Sequence, residues 1–504
     1  MPRTMDDPAT PAGPNATAAA GEPRAGRIGL PLGILLFVGV LLAPMPEGIS
    51  VAAQRTAAVA ALMAVWWMTE ALPLPATSLL PLVLFPALDI LSPTDAATPY
   101  ANPVIFLFMG GFLLALAMQR WGLHRRIALT IVGLIGTGPR RLVLGFMVAT
   151  AVPSAWVSNT ATAAMMLPIG IAIAELLRPD DSEAPFPFGI VLMLGIAYGA
   201  TIGGVATLIG TPPNAILAAA ADELLGTEVG FFEWMRVGVP LAAVMLPLGW
   251  AALVFGPYRP RPLPGDADAV LRAERSSLGP LRPGETITMA VFGLTVLGWL
   301  FREPKTIGPL ELPGLETVMP GLHDATIAMA GALLLFILPV DRRGRTFVLD
   351  WETARGLPWG VLLLFGGGLS LARAFEVSGL TAAIAQLVGG LGALPPLLLI
   401  GSICLVFLLL TELTSNTATA SLGMPVLAAA AAGLGQDPLV FMAAGALACS
   451  AAFMMPVATP PNAIAFGSGY VRIGEMIRAG VRLNAIALVL MTVAAYVLVG
   501  AVLT

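Results

Sequence analysis

The sequence is poor in charge, cysteine, histidine and lysine, and each shortage argues against a class of protein. Charged residues make up 11% of the 504 residues, against about 25% in soluble proteins. Two cysteines supply no disulfide framework or metal motif. The only histidines, His124 and His323, lie too far apart in the sequence to suggest a zinc site, and Lys305 is the only lysine.

Apolar runs are abundant instead. Hydrophobic residues make up 57% of the chain, and the mean hydropathy is +0.87. Runs of about 20 residues recur from end to end, each long enough to cross the hydrocarbon core as a helix. The runs are continuous and do not alternate every second residue, which favours helices over a β-barrel. The sequence therefore predicts an all-α polytopic protein of the cell membrane, plasma or inner.

The predicted order along the chain starts with a disordered tail at 1–26, which is rich in Pro, Ala and Gly. The predicted apolar segments are 28–45, 51–67, 73–92, 101–120, 142–177, 188–224, 231–256, 285–301, 322–340, 357–376, 395–432, 438–468 and 482–503.

Arginine clusters predict the orientation. They lie at 120–141, 259–282, 342–355 and 472–482, and the positive-inside rule places them in the cytoplasm. All four clusters can lie on the cytoplasmic side only if the segments 142–177 and 395–432 each enter and leave the membrane on the same side. Each of these segments would then be a re-entrant hairpin. The sequence therefore predicts eleven transmembrane helices plus two re-entrant hairpins, with a cytoplasmic N-terminus and an outside C-terminus.

Three pairs of segments show an internal repeat. The hexapeptide "SNTATA" begins at Ser158 and again at Ser415, and "VIFLFMGG" recurs as "VLLLFGGG" at the same offset of 257 positions. "TPPNAI" begins at Thr211 and at Thr459, 248 positions apart. An odd number of predicted spans separates the copies. They therefore have opposite orientations, as in transporters with inverted repeats.

The polar hexapeptide predicts a break between two half-helices. Ser, Asn and Thr are favourable N-caps, so one half-helix ends near Trp156–Val157 and another begins after Asn159–Thr160. The new helix presents free N–H groups and the positive end of its dipole, which suit an anion. The old helix presents free carbonyl groups, which suit a cation such as sodium.

The "TPPN" strings predict a second kind of break. Pro212 suits the first turn of a helix because no N–H donor is needed there, and the residue before a proline is pushed towards extended geometry. Non-helical backbone at membrane depth is tolerated only when it is buried in protein or lines a cavity. Four breaks in two inverted pairs therefore predict one composite site near the midplane.

Isolated polar residues in apolar helices have simpler explanations. A single Ser/Thr/Asn cluster usually forms hydrogen bonds between helices, whereas pairing across an inverted repeat favours a site. Charged residues near segment ends are interpreted as structural pairs or snorkelling side chains. They are Arg120, Glu175, Arg373 and Glu412. Glu412 is the hardest to dismiss because it lies three residues before Ser415.

The paired "SNT" and "TPPN" strings resemble the divalent anion/sodium symporter (DASS) family, as do "WWMTEALPLPATSLLP" from Trp66 and "YGATIGGVATLIGTPPN" from Tyr198. The resemblance covers about residues 60–500, and the family includes sodium-coupled dicarboxylate and citrate carriers. It implies a homodimer whose protomers each have a scaffold domain and a transport domain. It also implies an elevator movement, with an SNT string at the tip of each re-entrant hairpin.

The resemblance implies the binding residues as well. Those for the substrate are Ser158, Asn159, Thr160, Ser415, Asn416, Thr417, Thr459 and Pro460. One sodium ion would be bound by Ser154, Ser158, Asn159 and the carbonyl of Gly210. A second would be bound by Thr411, Thr414, Asn416 and the carbonyl of Ala458. Thr414 and Ala458 are expected to contribute backbone oxygens only.

The implied domain division follows the repeats. N-terminal scaffold helices occupy 27–100, repeat 1 with the inner hairpin 142–177 occupies 101–256, and a cytoplasmic linker occupies 257–284. Further scaffold helices occupy 285–356, and repeat 2 with the outer hairpin 395–432 occupies 357–504.

These features predict a sodium-coupled secondary transporter that imports a C4-dicarboxylate such as succinate, malate or fumarate. No basic residue lies beside either hexapeptide, so two or more bound Na+ ions would supply the positive charge. Sodium-independent exchange and symport of citrate or sulfate are open alternatives.

Other function classes fit less well. An intramembrane enzyme would need a nucleophile with a base or a metal cluster, and no HExxH or GxSxG motif occurs. A channel would need a continuous pore, whereas a site between inverted halves suits alternating access. The expected partners are a small dicarboxylate, the lipid bilayer and a second copy of the chain, with no nucleic acid.

Overall fold

A computed structural model describes residues 24–44, 49–136, 138–178, 186–260, 267–307, 310–341, 345–388 and 394–503. The described chain is almost entirely helical, which confirms the all-α prediction. Its strands are the short antiparallel pair β1 (Lys305–Ile307) and β2 (Leu310–Leu312). Most of the predicted tail lies outside the described residues. The first helix begins at Arg24, and the extent of the disordered tail stays a prediction.

The helices follow the two predicted halves. Before the first repeat lie α1 (Arg24–Leu42), α2 (Val51–Thr69), α3 (Leu74–Thr77), α4 (Leu80–Ala87), α5 (Pro93–Ala97) and a 3-10 turn (Thr98–Ala101). The first repeat contains α6 (Pro103–Arg120), α7 (Leu123–Ile135), α8 (Pro139–Ser154), α9 (Asn159–Leu176), α10 (Pro187–Gly204), α11 (Pro212–Leu225) and α12 (Phe231–Val254). Between the repeats lie α13 (Ala267–Ser277), α14 (Pro283–Leu300), a 3-10 turn (Leu315–Thr317), α15 (Asp324–Ile337) and α16 (Trp351–Ala354).

The second repeat has the same order of elements as the first. It contains α17 (Trp359–Ser378), α18 (Leu380–Val388), α19 (Pro396–Thr411), α20 (Asn416–Gly433), α21 (Pro438–Cys449), α22 (Pro460–Gly467) and α23 (Ile473–Val493). A π-helical stretch (Ala494–Val499) and α24 (Gly500–Val502) follow. In each repeat a long helix leads to a short one, then to two helices joined by a turn, then to a broken helix, and finally to another long helix.

Besides the very short helices α5 and α16, three amphipathic helices lie where no apolar segment was predicted. Helices α7 and α18 follow the first long helix of each repeat, and α13 lies within the predicted linker 257–284. Arg125 and Arg126 of α7 pair with Glu274 and Glu285, while Leu129, one turn further along the helix, is buried. A search for long apolar runs misses α7 and α13 because charged residues interrupt the run, and it misses α18 because that helix has only 9 residues.

Helix α10 lies at the centre of the molecule, with 94% of its residues buried. Its glycines let α8 approach closely: a Cβ atom on Gly199 would lie 2.6 Å from the Met147 carbonyl oxygen, and one on Gly203 would clash with Ala151. This contact sets the end of α8 beside the middle of the broken helix α10–α11.

Several helices have the length and composition needed to span a bilayer. Among the described residues, seven helices reach this length and five shorter helices are also apolar. The count of eleven spans, the re-entrant paths and the orientation stay predictions.

Candidate functional site

The first tip is the turn 155–158 that joins α8 to α9. Helix α8 ends at Ser154 and α9 begins at Asn159. Ser158 caps α9, because its hydroxyl accepts a hydrogen bond from the Ala161 N–H at 3.2 Å. The carbonyl end of one helix and the N–H end of the next therefore meet at one turn, as the hexapeptide predicted.

Ser154 is fully buried and joins this tip to α10. Its Oγ lies 2.6 Å from the side-chain amide of Asn159 and 2.9 Å from the Ala200 carbonyl oxygen. The same amide atom lies 3.2 Å from the Gly210 carbonyl oxygen and 3.3 Å from that of Ala200. Three oxygens, from α8, α10 and the loop 205–211, thus surround one end of the Asn159 amide.

The two possible orientations of the Asn159 amide have opposite consequences for the cluster. With the nitrogen towards the cluster, Asn159 can donate to the surrounding oxygens, which the protein then satisfies by itself. With the oxygen there, four oxygens face one another and share the single hydroxyl proton of Ser154, so a cation between them would be favourable. Rotating the Asn159 side-chain amide by half a turn would therefore convert a hydrogen-bonded cluster into a cation site.

The second tip, 412–415, repeats the arrangement with a threonine. Helix α19 ends at Thr411 and α20 begins at Asn416. The fully buried Thr411 Oγ1 lies 2.6 Å from Asn416 Oδ1 and 2.9 Å from the Cys449 carbonyl oxygen. One hydroxyl proton cannot serve both oxygens at once. With the amide oxygen of Asn159 facing Ser154, each tip therefore has an oxygen cluster that lacks one proton or one cation.

Glycine is required where the first tip meets the loop 205–211. A Cβ atom on Gly204 would lie 2.7 Å from the Asn159 amide oxygen, and one on Gly210 would clash with the Gly204 carbonyl. Any larger residue would separate the amide from the Gly210 carbonyl. The structure thus brings together Ser154, Asn159 and Gly210 of the first implied sodium set.

The asparagines of the two "TPPN" strings hold the unwound loops, and both are fully buried. Asn214 Nδ2 donates to carbonyl oxygens of Gly204, Val205 and Thr207 at 3.3, 3.2 and 2.8 Å.

Asn462 forms the matching contacts in the second half. Its Nδ2 donates to the carbonyl oxygens of Ala452 and Met455 at 3.1 and 3.0 Å. Neither asparagine was predicted as a functional residue. The sequence did contain a signal for them, because an asparagine follows the Pro-Pro pair in both copies of "TPPN". A residue that only broke the helix would not need an amide side chain.

Glu412 has a structural role at the second tip. It is 2% exposed, and its carboxylate accepts hydrogen bonds from three consecutive backbone N–H groups, 453–455, at 2.8 to 3.2 Å. Asn484 Nδ2 of α23 also donates to it at 2.7 Å. The carboxylate therefore fixes the loop 450–459 against the tip. The equivalent residue of the first repeat, 257 positions earlier, is Ala155.

The implied site residues separate into an open layer and a buried layer. Ser158, Thr160 and Pro460 are exposed, and Asn159, Thr414, Ser415, Asn416 and Thr417 are half-buried. Ser154, Gly210, Thr411, Ala458 and Thr459 are buried. The exposed hydroxyl groups therefore lie at the front of each tip, and the oxygen clusters lie behind them.

Two threonine hydroxyls of the implied set are occupied by local contacts. Thr414 Oγ1 donates to the Leu410 carbonyl at 2.7 Å, so this side chain bonds within its own helix end. Thr459 Oγ1 caps α22 by accepting from the Asn462 N–H at 3.3 Å.

The other charged and titratable candidates lie in structural contacts. Arg120 pairs with Asp350 at 2.6 Å, and Arg373 with Glu376 at 2.9 Å. His124 is 9% exposed, and burial lowers its pKa. Within the described ranges, no three His, Cys, Asp or Glu residues come together as a metal site. A cation at the tips would therefore be held by neutral oxygens.

Known proteins are similar to this chain over most of its length. The sequence model of a family described as the sodium:sulfate symporter transmembrane region matches residues 27–503. Sodium-dependent dicarboxylate transporters SdcS of Staphylococcus saprophyticus and Staphylococcus aureus strain MRSA252 are both 41% identical to this chain over 484 residues. Each alignment covers 94% of this chain and 92% of the relative.

Solved structures share the fold at low sequence identity. The YdaH transporter of Alcanivorax borkumensis is 17% identical with a TM-score of 0.52, covering 95% of this chain and 97% of that one. MtrF of Neisseria gonorrhoeae is 13% identical with a TM-score of 0.57, covering 94% of this chain and 95% of that one. This similarity concerns the fold alone.

Proposed function

Because the chain belongs to the sodium:sulfate symporter family of membrane transporters, we propose that it is a sodium-coupled secondary transporter importing a C4-dicarboxylate such as succinate, malate or fumarate. The names of the two staphylococcal relatives support sodium coupling and the dicarboxylate class. Members of this family are transporters, so no catalytic residue is assigned.

The observation that carries the proposal is the pair of oxygen clusters. At each tip one buried hydroxyl contacts two further oxygens, at 2.6 and 2.9 Å in both cases. With the Asn159 amide oxygen facing Ser154, a single proton leaves one contact at each tip unsatisfied, and a monovalent cation would satisfy it. We assign one Na+ to Ser154, Ser158, Asn159 and the Gly210 carbonyl. A second is assigned to Thr411, Asn416 and the backbone oxygens of Thr414 and Ala458.

The substrate would lie in front of these ions. Helices α9 and α20 begin at the two tips, so their free N–H groups and positive dipole ends favour an anion. One carboxylate would contact Ser158, Asn159 and Thr160, and the other Ser415, Asn416 and Thr417, with Thr459 and Pro460 lining the pocket. Asn159 and Asn416 would contact both an ion and the substrate, which couples the two binding events.

Transport would proceed by an elevator movement in which the paired tips move against scaffold helices. In this proposal the protein is a homodimer in the plasma or inner membrane, with its N-terminus in the cytoplasm and its C-terminus outside. Helices α6–α12 and α17–α23 repeat the same order of elements. With the predicted opposite orientations of the two halves, this repeat supports alternating access, because two related halves can exchange their environments.

The test is uptake by the purified full chain in proteoliposomes. Radiolabelled succinate should accumulate under an inward sodium gradient, and an equal potassium gradient is the control. Uptake that is indifferent to sodium would reject the coupling. Counterflow without sodium would identify an exchanger, and competition by citrate or sulfate would identify the substrate, since the family description names sulfate.

A further inference from the structure

Three arginines converge on the end of α12, away from the paired tips. The Arg140 guanidinium carbon lies 4.9 Å from the centre of the Phe255 ring, and Arg259 Nε donates to the Phe255 carbonyl at 3.3 Å. A guanidinium nitrogen of Arg482 lies 3.4 Å from where a side chain on Gly256 would begin. The two residues that follow α12 are thus surrounded by positive charge from α8, α23 and their own segment.

None of these three arginines forms an ion pair with a carboxylate of the described chain. Some other arginines of the predicted cytoplasmic clusters do form ion pairs within the described chain. Arg120 pairs with Asp350, and Arg126 with Glu285. The charge around Phe255 is therefore uncompensated within the described protein, and it attracts an anion.

The surroundings match the boundary of a bilayer. Trp250 donates its indole N–H to the Arg140 carbonyl at 2.9 Å and stands 5.7 Å, ring to ring, from Phe255. Indole and phenol rings are enriched at this level of membrane proteins. The hydroxyl of Tyr258 is buried and has no hydrogen-bond partner among the described residues.

An apolar stripe leads from this cluster along α12. Val244, Leu248 and Phe255 are 48%, 41% and 50% exposed. Their spacing of four and seven places them on one face of the helix. A chain lying on this face would have its apolar part against α12 and its anionic end between the arginines.

We infer that Arg140, Arg259 and Arg482 form a binding site for the phosphate headgroup of an anionic phospholipid. The phosphate would accept from the three guanidinium groups, which suit phosphate geometry. It would also lie near the first turn of α8, which has no side-chain cap at Gly138. A soluble phosphate would gain nothing from the apolar stripe. This inference does not depend on which substrate the protein carries.

The test measures lipid binding to the full-length protein in detergent, without any transport assay. Phosphatidylglycerol is added to the delipidated protein, and retained lipid is counted by native mass spectrometry, with phosphatidylcholine and inorganic phosphate as comparison ligands. Arg140→Gln and Arg482→Gln should each weaken phosphatidylglycerol retention about fivefold, the usual effect of one basic side chain near a membrane.

Arg141→Gln is the matched control. It removes the same charge from the neighbouring exposed residue, whose side chain lies towards Gly136 and not Phe255. Retention should stay near the wild-type level in this variant. Equal loss in all three variants, or equal retention of phosphatidylcholine, would overturn the site in favour of diffuse attraction. Competition by inorganic phosphate would show that a soluble anion is the ligand.

Discussion

The two tips carry the same hexapeptide, yet the protein around them differs. Ser154–Asn159 and Thr411–Asn416 have the same contact distance of 2.6 Å, and each hydroxyl reaches a carbonyl oxygen of the neighbouring helix at 2.9 Å. Glu412 anchors the loop beside the second tip, whereas the first tip has Ala155 at that position. The comparison indicates that the hydroxyl–amide contacts are the same at both tips, whereas the residues that hold the neighbouring loops differ.

The contacts of the tips themselves also differ. Trp156 of the first tip packs against Phe231 and Phe292 with ring centroids 5.9 and 5.1 Å away. Its counterpart in the second tip, 257 positions later, is Leu413, which is 74% exposed. The first tip is thus packed against α12 and α14 through Trp156, whereas the equivalent side chain of the second tip is exposed.

Removing the Glu412 anchor should have the largest effect. Glu412→Ala would leave three buried N–H groups and the Asn484 amide without an acceptor, at about 1–3 kcal/mol for each unsatisfied group. We expect a loss of folded protein or a large fall in melting temperature in detergent. Ala155→Ser at the equivalent position of the first tip is the control and should change little. An unchanged melting temperature for Glu412→Ala would contradict the anchoring role.

The second largest effect is expected for Asn159 and Asn416, whose amides are proposed to contact both an ion and the substrate. Asn159→Ala and Asn416→Ala should each weaken sodium and succinate binding together, by about tenfold or more, since each amide is proposed to contact both. Binding is measured by isothermal titration or by ligand-induced thermal stabilisation. If Asn416→Ala abolished succinate binding and left sodium affinity intact, the shared-ligand arrangement would be wrong.

Replacing the two loop asparagines, Asn214 and Asn462, should affect sodium dependence to different extents. Asn214 bonds three carbonyls in a loop with no carboxylate anchor, whereas Glu412 assists Asn462. Asn214→Ala should therefore raise the sodium concentration for half-maximal uptake about tenfold, and Asn462→Ala only about threefold, on the scale of one or two lost hydrogen bonds. Equal shifts in both variants would show that the anchor does not assist the second loop.

The smallest expected effect concerns Trp156. Trp156→Leu gives the first tip the residue of the second and removes aromatic contacts worth about 0.5–1.5 kcal/mol beyond their buried area. The melting temperature should fall by a few degrees, while Leu413→Ala, at an exposed position, should leave it nearly unchanged. A larger fall for Leu413→Ala would mean that the second tip is packed more firmly than its exposure indicates.

Much of the fold could be predicted from sequence because its signals are local or repeated. The hexapeptide predicts the starts of α9 and α20, which begin at Asn159 and Asn416. Ser158 caps α9 within one turn, whereas Ser415 forms no side-chain cap on α20. The matching offsets identified the two halves. Helices α7 and α13 were missed because their charged residues interrupt the apolar pattern, and α18 was missed because it has only 9 residues.

The site could be predicted only in part. Ser154 and Asn159 are five positions apart, and the turn between them is local. The Ala200 carbonyl comes from 46 positions away, and the two loop asparagines act through backbone groups that any residue could supply. Nothing in the hexapeptide itself required a carboxylate beside one copy and an alanine beside the other.

The sequence alone determined the all-helical class, the two halves and the breaks at both tips, because these follow from hydropathy, repetition and capping over a few residues. The tertiary structure decided which oxygens meet. Packing of α8 on α10 at Gly199 and Gly203 sets Ser154 against Ala200. Glu412 is held where three distant N–H groups converge. Such contacts depend on close approach between remote segments, which no local pattern encodes.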